Sequence, residues 1–157
     1  MVAAASSPTV VIARERWIDA WPEIEPLSFA HHAEVAWPGE APPCAVPAVF
    51  AAAEEQGRLV CFTLRLDLEL IGYAWFWIYE DPQHAGERRA TADALYLRPD
   101  CRLGATGTRF LAACCDALTA GGIRVILIGV RSGRDFGPVL QRLGFAPTET
   151  TYARRSA

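Results

Sequence analysis

The sequence predicts a single α/β domain in which three antiparallel strands precede a crossover half of alternating helices and strands. Three observations predict this fold. Strand-like segments lie close together between residues 59 and 98 and are joined by short polar turns. A loop with two glycines then opens an amphipathic helix. A nearly continuous apolar run, 123–130, follows that helix and is typical of a strand buried on both faces.

The predicted elements account for nearly the whole chain. In order they are a strand at 9–13, a helix at 17–36, a loop at 37–47, a helix at 46–56, strands at 59–66, 70–79 and 90–98, a helix at 108–120, a strand at 123–130, a helix at 135–143 and a strand at 148–154. A length of 157 residues suits one domain with its own core. We therefore expect one domain over residues 1–157, with residues 1–8 flexible.

Local signals set the bounds of these elements. The β-branched run Thr-Val-Val-Ile favours the first strand, and apolar residues at helical spacings favour the first helix, whose beginning Pro22 and Pro26 limit. Four prolines between residues 37 and 47 require a loop. Gly57 ends the second helix, and the pair Gly121-Gly122 ends the third.

Composition excludes several classes of function. The chain holds 15 arginines and no lysine against 18 acidic residues, and its net charge of −3 gives no footprint for nucleic acid or for a membrane surface. Its apolar runs are far shorter than the ~20 residues that span a bilayer. Five cysteines, without a Cys-x-x-Cys pair, indicate neither a disulfide framework nor a zinc site. The N-terminus has no signal-peptide pattern, so we expect a cytoplasmic protein.

The segment that carries chemistry is Arg102-Leu-Gly-Ala-Thr-Gly107, which joins a predicted strand to a predicted helix. Its glycines let a ligand approach the backbone, and the first turn of a helix has unpaired N–H groups at the positive end of its dipole. These features predict an anion cradle, to which Arg102 or Arg109 adds a charge-assisted contact. The alternative is an ordinary glycine turn. A Walker loop is excluded because the sequence lacks Gly-Lys-Ser/Thr.

The segment resembles the acyl-CoA pyrophosphate loop of the GNAT N-acetyltransferase superfamily, whose pattern is Arg/Gln-x-x-Gly-x-Gly/Ala. Ala105 stands where that pattern has its first glycine. The predicted element order is also that of the family, and the run 135–145, ending in Leu-Gly-Phe, resembles a second family element. The segments 31–36 and 92–97 resemble phage- and prophage-associated members with unassigned substrates.

The resemblance implies direct transfer of an acetyl group from acetyl-CoA to a primary amine, without a covalent enzyme intermediate. Backbone N–H groups of residues 95–97 would hold the pantetheine arm and polarise the thioester carbonyl. Those of residues 103–108 would hold the pyrophosphate, and Asp135 takes a position where the family often has asparagine. The cofactor-binding residues implied are Leu95, Tyr96, Leu97, Arg102, Leu103, Gly104, Ala105, Thr106, Gly107, Thr108 and Asp135.

The catalytic candidates are Asp93, Glu34 and Tyr152. Asp93 interrupts an apolar strand, so its carboxylate must lie at an edge, be paired, or act as a base. Leu140 stands where many family members carry a tyrosine general acid. Either Tyr152 or Tyr96 then protonates the leaving thiolate, or the thiolate leaves unaided because its pKa is modest.

The acceptor amine is expected to contact His31, Trp75 and Arg131. His31 and Glu34 share one face of the first helix, so either can accept the amine proton, or the pair is only one polar side of a helix. Trp75 fits core packing equally well, and Arg131 fits contact with the cofactor phosphates or a solvated loop. No metal site is expected, because His31, Glu34 and Asp93 lack a further ligand pair.

The sequence therefore predicts an acetyl-CoA-dependent N-acetyltransferase that acts on the amine of a small molecule or a peptide. The tryptophan-rich N-terminal half is compatible with a homodimer. Two other classes stay open. Leu140 favours a non-catalytic CoA-binding or regulatory module, and Ala105 favours a structural domain that has lost the cofactor.

Overall fold

The computed structural model describes residues 8–131 and 136–154. The flexibility expected for residues 1–8 falls almost entirely outside the described residues. The elements are β1 (Val10–Glu15), α1 (Trp17–Val35), α2 (Pro47–Glu55), β2 (Leu59–Leu66), β3 (Glu69–Glu80), β4 (Arg88–Leu97), a 3-10 turn (Pro99–Cys101), α3 (Thr106–Ala120), β5 (Val125–Ile128) and α4 (Gly137–Arg142). No helix within these ranges is long and apolar enough to cross a membrane.

The five strands form one mixed sheet in the order β1-β2-β3-β4-β5. The first four strands pair antiparallel, and β5 joins β4 in parallel after the α3 crossover. Asp67 and Leu68 turn the β2–β3 hairpin with φ angles of 47° and 75°, which a two-residue hairpin of the favoured twist requires. The predicted α/β class, with a mostly antiparallel sheet and helices on both faces, is confirmed.

Each face of the sheet carries its own apolar core. The helices α1 and α2 cover one face through Trp17, Ile24 and Ala53, which pack on side chains of β2, β3 and β4. The helix α3 covers the other face through its buried residues Phe110, Leu111, Cys114 and Leu118. These four recur at helical spacing on one side of α3, so the amphipathic helix that the sequence predicted after the glycine loop is confirmed.

Pro22 and Pro26 were expected to limit where α1 begins, and they do not. It begins at Trp17 and contains both Pro22 and Pro26. The two prolines lie four residues apart on the exposed side of the helix, so their rings do not disturb the side that packs on the sheet. The opposite side of the helix is buried against the sheet, and Arg65 of β2 pairs with Glu23 of α1 at 2.9 Å. Packing therefore outweighs the cost of the prolines.

Two strand predictions in the second half of the chain are wrong. Residues 148–154 are exposed and irregular, because within the described residues they lie against no partner strand. The strand at 123–130 is shorter than predicted, Val125–Ile128, and its residues are half-buried rather than buried on both faces. It is half-buried because it is the last strand of the described sheet.

Candidate active site

A cleft begins where β4 and β5 separate. The parallel pairing of β5 reaches only Ala92 of β4, so the rest of β4 has no strand on that side in the described sheet. On the other side, Phe76 of β3 pairs with Ala92 and Trp75 pairs with Ala94, which leaves Asp93 as the extra residue of a β-bulge. Bulges bend a strand and redirect a side chain, often beside an active site. The sheet thus opens at the carboxylate that interrupts an apolar strand.

The backbone of β4 presents hydrogen-bonding groups along this open edge. The amide of Arg98 donates to the carbonyl of Ile71 on β3 at 2.8 Å. Because directions alternate along a strand, the amides of Leu95 and Leu97 face the cleft, and the amide between them faces β3. The carbonyl of Leu97 lies on the cleft side as well, since it accepts a bond from Arg102 Nε at 2.7 Å. The open edge therefore offers two amides to a ligand.

The anion cradle predicted at the start of α3 has the expected backbone geometry. The first intrahelical bond runs from Arg109 to Ala105 at 2.9 Å, so the amides of residues 106–108 have no partner within the helix. Gly104 has a φ of 66°, which a residue with a side chain rarely adopts. A Cβ at Gly107 would lie 3.5 Å from the nearest side-chain atom, an ordinary contact. The fold itself therefore tolerates a side chain at Gly107, and any demand for glycine there comes from a ligand.

One cavity of about 420 Å³ joins the open edge of β4 to this cradle. Its volume lies in the range of about 300–1,000 Å³ that small-molecule sites occupy. The wall comes from α1, β4, the loop before α3, the first turns of α3, the end of β5 and α4. The predicted residues on the wall are His31, Glu34, Asp93, Leu95, Tyr96, Leu97, Arg102, Gly104, Gly107, Thr108 and Arg131.

Arg102 ties the loop before α3 to two other elements. Its guanidinium lies 2.8 and 2.9 Å from the two carboxylate oxygens of Glu34 on α1, and its Nε bonds the end of β4. It also lies 5.5 Å from the centroid of the Tyr96 ring, a cation–π contact. The structure thus brings the predicted Glu34 into the cavity as the ion-pair partner of Arg102.

His31 lies on the cavity wall within a group of aromatic side chains. Its Nδ1 is 3.1 Å from the hydroxyl of Tyr73, and its ring stacks on that of Tyr96 with centroids 5.1 Å apart. Burial lowers the pKa of His31 to about 4 and raises the pKa of Tyr73 above its usual value. Both groups are therefore neutral at neutral pH and share one hydrogen bond. Tyr96 contributes its ring to the cavity, whereas its amide, predicted to bind the cofactor, faces β3.

Asp93 lies on the same wall and accepts a hydrogen bond at 2.7 Å from Nε1 of Trp75. The sequence left a paired carboxylate and a base as alternatives, and the pairing is present. Trp75 is only 7% exposed and stacks on Tyr73, with centroids 5.2 Å apart. The indole is therefore a core residue that also fixes the orientation of the carboxylate.

The remaining predicted residues lie in different places. Arg131 lines the cavity and pairs at 3.2 Å with Glu40, which follows α1. Tyr152 is 91% exposed in the irregular C-terminal segment, so the structure does not bring it to the site. Asp135 lies outside the described residues. The loop residues that are not on the cavity wall are Leu103, Ala105 and Thr106.

Sequence reasoning missed the contribution of α4 to this cavity. Val139 and Arg142 of α4, and Phe136 directly before it, lie on the wall. Leu140, the residue compared with a family tyrosine, is 7% exposed and is not on it. The three wall residues are three positions apart, which is a spacing that places them on one side of a helix. That spacing was the signal that could have identified them.

The chain matches a known protein family and shares its fold with solved structures. The model of the acetyltransferase (GNAT) family matches residues 26–145, more than half of the chain. A glucosamine-6-phosphate N-acetyltransferase from Arabidopsis thaliana has 8% identity and a TM-score of 0.70, covering 94% of this chain and 98% of its own. The ribosomal-protein-alanine N-acetyltransferase from Brucella melitensis biovar Abortus 2308 has 17% identity and a TM-score of 0.71, with 94% and 99% covered.

A predicted acetyltransferase from Clostridium acetobutylicum, solved with acetyl-CoA, has 16% identity and a TM-score of 0.67, with 95% of this chain and 96% of its own covered. No curated protein shows significant sequence similarity to the chain. At these identities the solved structures show the fold alone, and the family match shows membership. The fold is that of acetyltransferases, and the family match shows that the chain belongs to the acetyltransferase (GNAT) family.

Proposed function

We propose that the protein transfers an acetyl group from acetyl-CoA to a primary amine of a small molecule or a peptide. One observation carries the proposal: the open edge of β4 continues into the unpaired amides of α3 within one cavity. An extended amide-bearing arm fits the first feature, and a pyrophosphate fits the second. The two similar N-acetyltransferases from Brucella and Arabidopsis, named for alanine and for glucosamine-6-phosphate, support an amine acceptor.

The chain offers donors for each part of acetyl-CoA. The amides of Leu95 and Leu97 would bind the pantetheine arm and polarise the thioester carbonyl. The amides of residues 106–108, together with the Arg102 guanidinium, would bind the pyrophosphate. The five cysteines are free thiols, which agrees with the proposed cytoplasmic setting.

The chemistry requires only proton transfers from the protein. The amine nitrogen forms a bond to the carbonyl carbon, the carbon–sulfur bond breaks, and Asp93 accepts the proton that the nitrogen loses. Burial raises the pKa of Tyr96, so its phenol holds its proton at neutral pH and can give it to the leaving thiolate. Leu140 cannot do so, because it carries no proton donor and is buried.

Thermal unfolding with and without acetyl-CoA tests the proposal. A ligand at 100 times its dissociation constant adds about 2.7 kcal/mol of stability, or roughly 5–10 °C for a domain of this size. We expect this shift in the natural protein, together with thiol release when a suitable amine is present. The variant Gly107→Glu should lose both, because it places a carboxylate among the amides that bind the pyrophosphate.

Ala117→Glu is the matched control, since it adds the same charge at an exposed position near the other end of α3. It should retain the shift. No shift in the natural protein at millimolar acetyl-CoA would overturn the proposal. A shift without turnover on any amine would favour the alternative, a non-catalytic CoA-binding module, which the leucine at position 140 supports.

A further inference from the structure

We infer that the acceptor is a small amine carrying an apolar group, aromatic or branched aliphatic, and that this group binds in a second cavity beyond Asp93. The inference rests on the proposed function and names the substrate class of the same site. It comes from the one carboxylate that lies on the walls of both cavities.

The second cavity lies on the α1–α2 face of the sheet and has a volume of about 390 Å³. It is therefore large enough for a small molecule. Asp93 sits between it and the cofactor cleft, so an amine bound at this carboxylate has the open edge of β4 on one side and the second cavity on the other. Its lining residues are Trp21, Ser28, Pro43, Cys44, Ala45, Val46, Val49, Phe50, Trp75 and Asp93.

The wall of this cavity is mostly apolar. Two of its polar groups are already engaged, since the Ser28 hydroxyl donates to the carbonyl of Glu25 at 2.7 Å and the Trp75 indole donates to Asp93 at 2.7 Å. The carboxylate of Asp93 is the charged group on this wall. An amino sugar or a polyamine would leave its hydroxyls or further ammonium groups without partners here, which is costly. An ammonium group on an apolar body matches the wall in both charge and polarity.

The aromatic part of the wall is fixed before any ligand binds. Trp17 is fully buried and stacks between Trp21, at a centroid distance of 4.5 Å, and Phe50, at 4.0 Å. Phe50 in turn meets Trp75 edge to face at 6.0 Å. Rings held in this way lose little conformational freedom on binding, so they form a ready surface for a flat or branched apolar group.

The rim of the cavity is also apolar and exposed. Val46, directly before α2, is 57% exposed, and Val49, in the first turn of α2, is 56% exposed. Large aliphatic side chains are usually more buried than this. Cys44 is exposed on the same wall. An apolar group bound here would cover these side chains, which gives the inference a readout that does not depend on catalysis.

The test compares three probes: 2-phenylethylamine, 2-phenylethanol and ethanolamine. The rate at which iodoacetamide alkylates Cys44 is followed by mass spectrometry without acetyl-CoA. We expect 2-phenylethylamine to slow alkylation most, 2-phenylethanol less, and ethanolamine not at all. With acetyl-CoA added, 2-phenylethylamine should be acetylated with a kcat/KM about tenfold or more above that of ethanolamine.

The variant Val49→Asp should abolish the protection of Cys44 and lower kcat/KM for 2-phenylethylamine about tenfold or more, with the affinity for acetyl-CoA unchanged. Ala52→Asp, an exposed position of α2 that does not line the cavity, should leave both values unchanged. Equal protection and turnover with ethanolamine, turnover confined to a peptide amine, or an undiminished Val49→Asp would overturn the inference. Failure of acetyl-CoA to bind the natural protein would instead overturn the proposed function. The alkylation experiment is done without acetyl-CoA, so its result tests the apolar cavity separately.

Discussion

At the scale of single residues, the cleft holds its ionisable side chains in fixed pairs. Glu34 lies against Arg102, Arg131 against Glu40, and Asp93 against an indole rather than a cation. Glu34 is already paired with a cation, whereas the indole that donates to Asp93 is neutral. This difference favours Asp93 over Glu34 as the base.

Asp93→Asn is expected to lower kcat by a factor of about 10²–10⁴, the range of general-base catalysis, with acetyl-CoA affinity unchanged. The amide oxygen can still accept the bond from Trp75, so the local structure should persist. Steady-state kinetics and thermal shift measure the two effects. Asp116→Asn, an exposed position on α3, is the control. An Asp93→Asn enzyme with natural kcat would remove Asp93 from the mechanism.

His31 makes a prediction about stability and pH. Its pKa is about 4 in the folded protein and about 6.5 when unfolded, so between these values the unfolded chain binds one more proton. Stability from this residue is therefore present above about pH 6.5 and is lost as the pH falls toward 4, by no more than about 3 kcal/mol, and by less because the ring is partly exposed.

Urea unfolding of the natural protein and of His31→Gln at pH 7 and pH 5 measures this contribution. We expect the natural protein to lose more stability between the two pH values than the variant does. His32→Gln controls for substitution of a histidine in the same helix turn. Parallel losses in the natural protein and in His31→Gln would show that the ring titrates normally.

At the scale of elements, α1 carries two of the residues proposed for the site and also the two prolines. Its contacts with the sheet keep it helical, since both prolines face water and the opposite side is buried. Its last two turns place His31 and Glu34 on the wall of the cleft. The helix is thus intrinsically weak and stabilised mainly by tertiary packing.

Pro26→Ala should stabilise the fold, because it restores an N–H donor to the carbonyl four residues earlier. Proline costs about 3 kcal/mol in a helix interior, and part of this is offset by the stiffer unfolded chain, so we expect a net gain of about 1–2 kcal/mol. Thermal or urea unfolding measures it. Pro42→Ala, in the loop after α1, should bring no gain. A loss of stability in Pro26→Ala would mean that α1 needs its prolines.

At the scale of the whole molecule, two cavities meet at the bulge in β4. Helix α1 lines both cavities, and Asp93 of β4 is the residue that the two walls share. The net charge of −3 gives no sign of the positive charge beside the start of α3, because Arg102 acts only on groups close to it.

The sequence contains no lysine, so the protein has no lysine side chain of its own to acetylate. A homodimer, a single domain over residues 1–157 and the phage-associated subgroup stay predictions.

Local signals in the sequence determined the order of the elements from β1 to α4, the amphipathic character of α3, the β2–β3 hairpin and the glycine loop that opens α3. These features depend on residues close in the chain: spacing along a helix, glycines in a turn, and unpaired amides in a first turn. They also sufficed to identify the family. Local signals failed where contacts between residues far apart in the chain determine the structure. The predicted strand at 148–154 has no partner in the described sheet. Pro22 and Pro26 do not limit α1, because the packing of this helix on the sheet outweighs their cost.

Only the tertiary structure decided which of the candidate site residues lie together. The pairing of Glu34 with Arg102 joins positions 68 residues apart, and the bond between Trp75 and Asp93 joins positions 18 apart. The exposure of Tyr152 and the burial of Leu140 depend likewise on which elements pack together. A sequence specifies which chemical groups are available, but folding sets the distances between them, and hydrogen bonds and proton transfers depend on those distances.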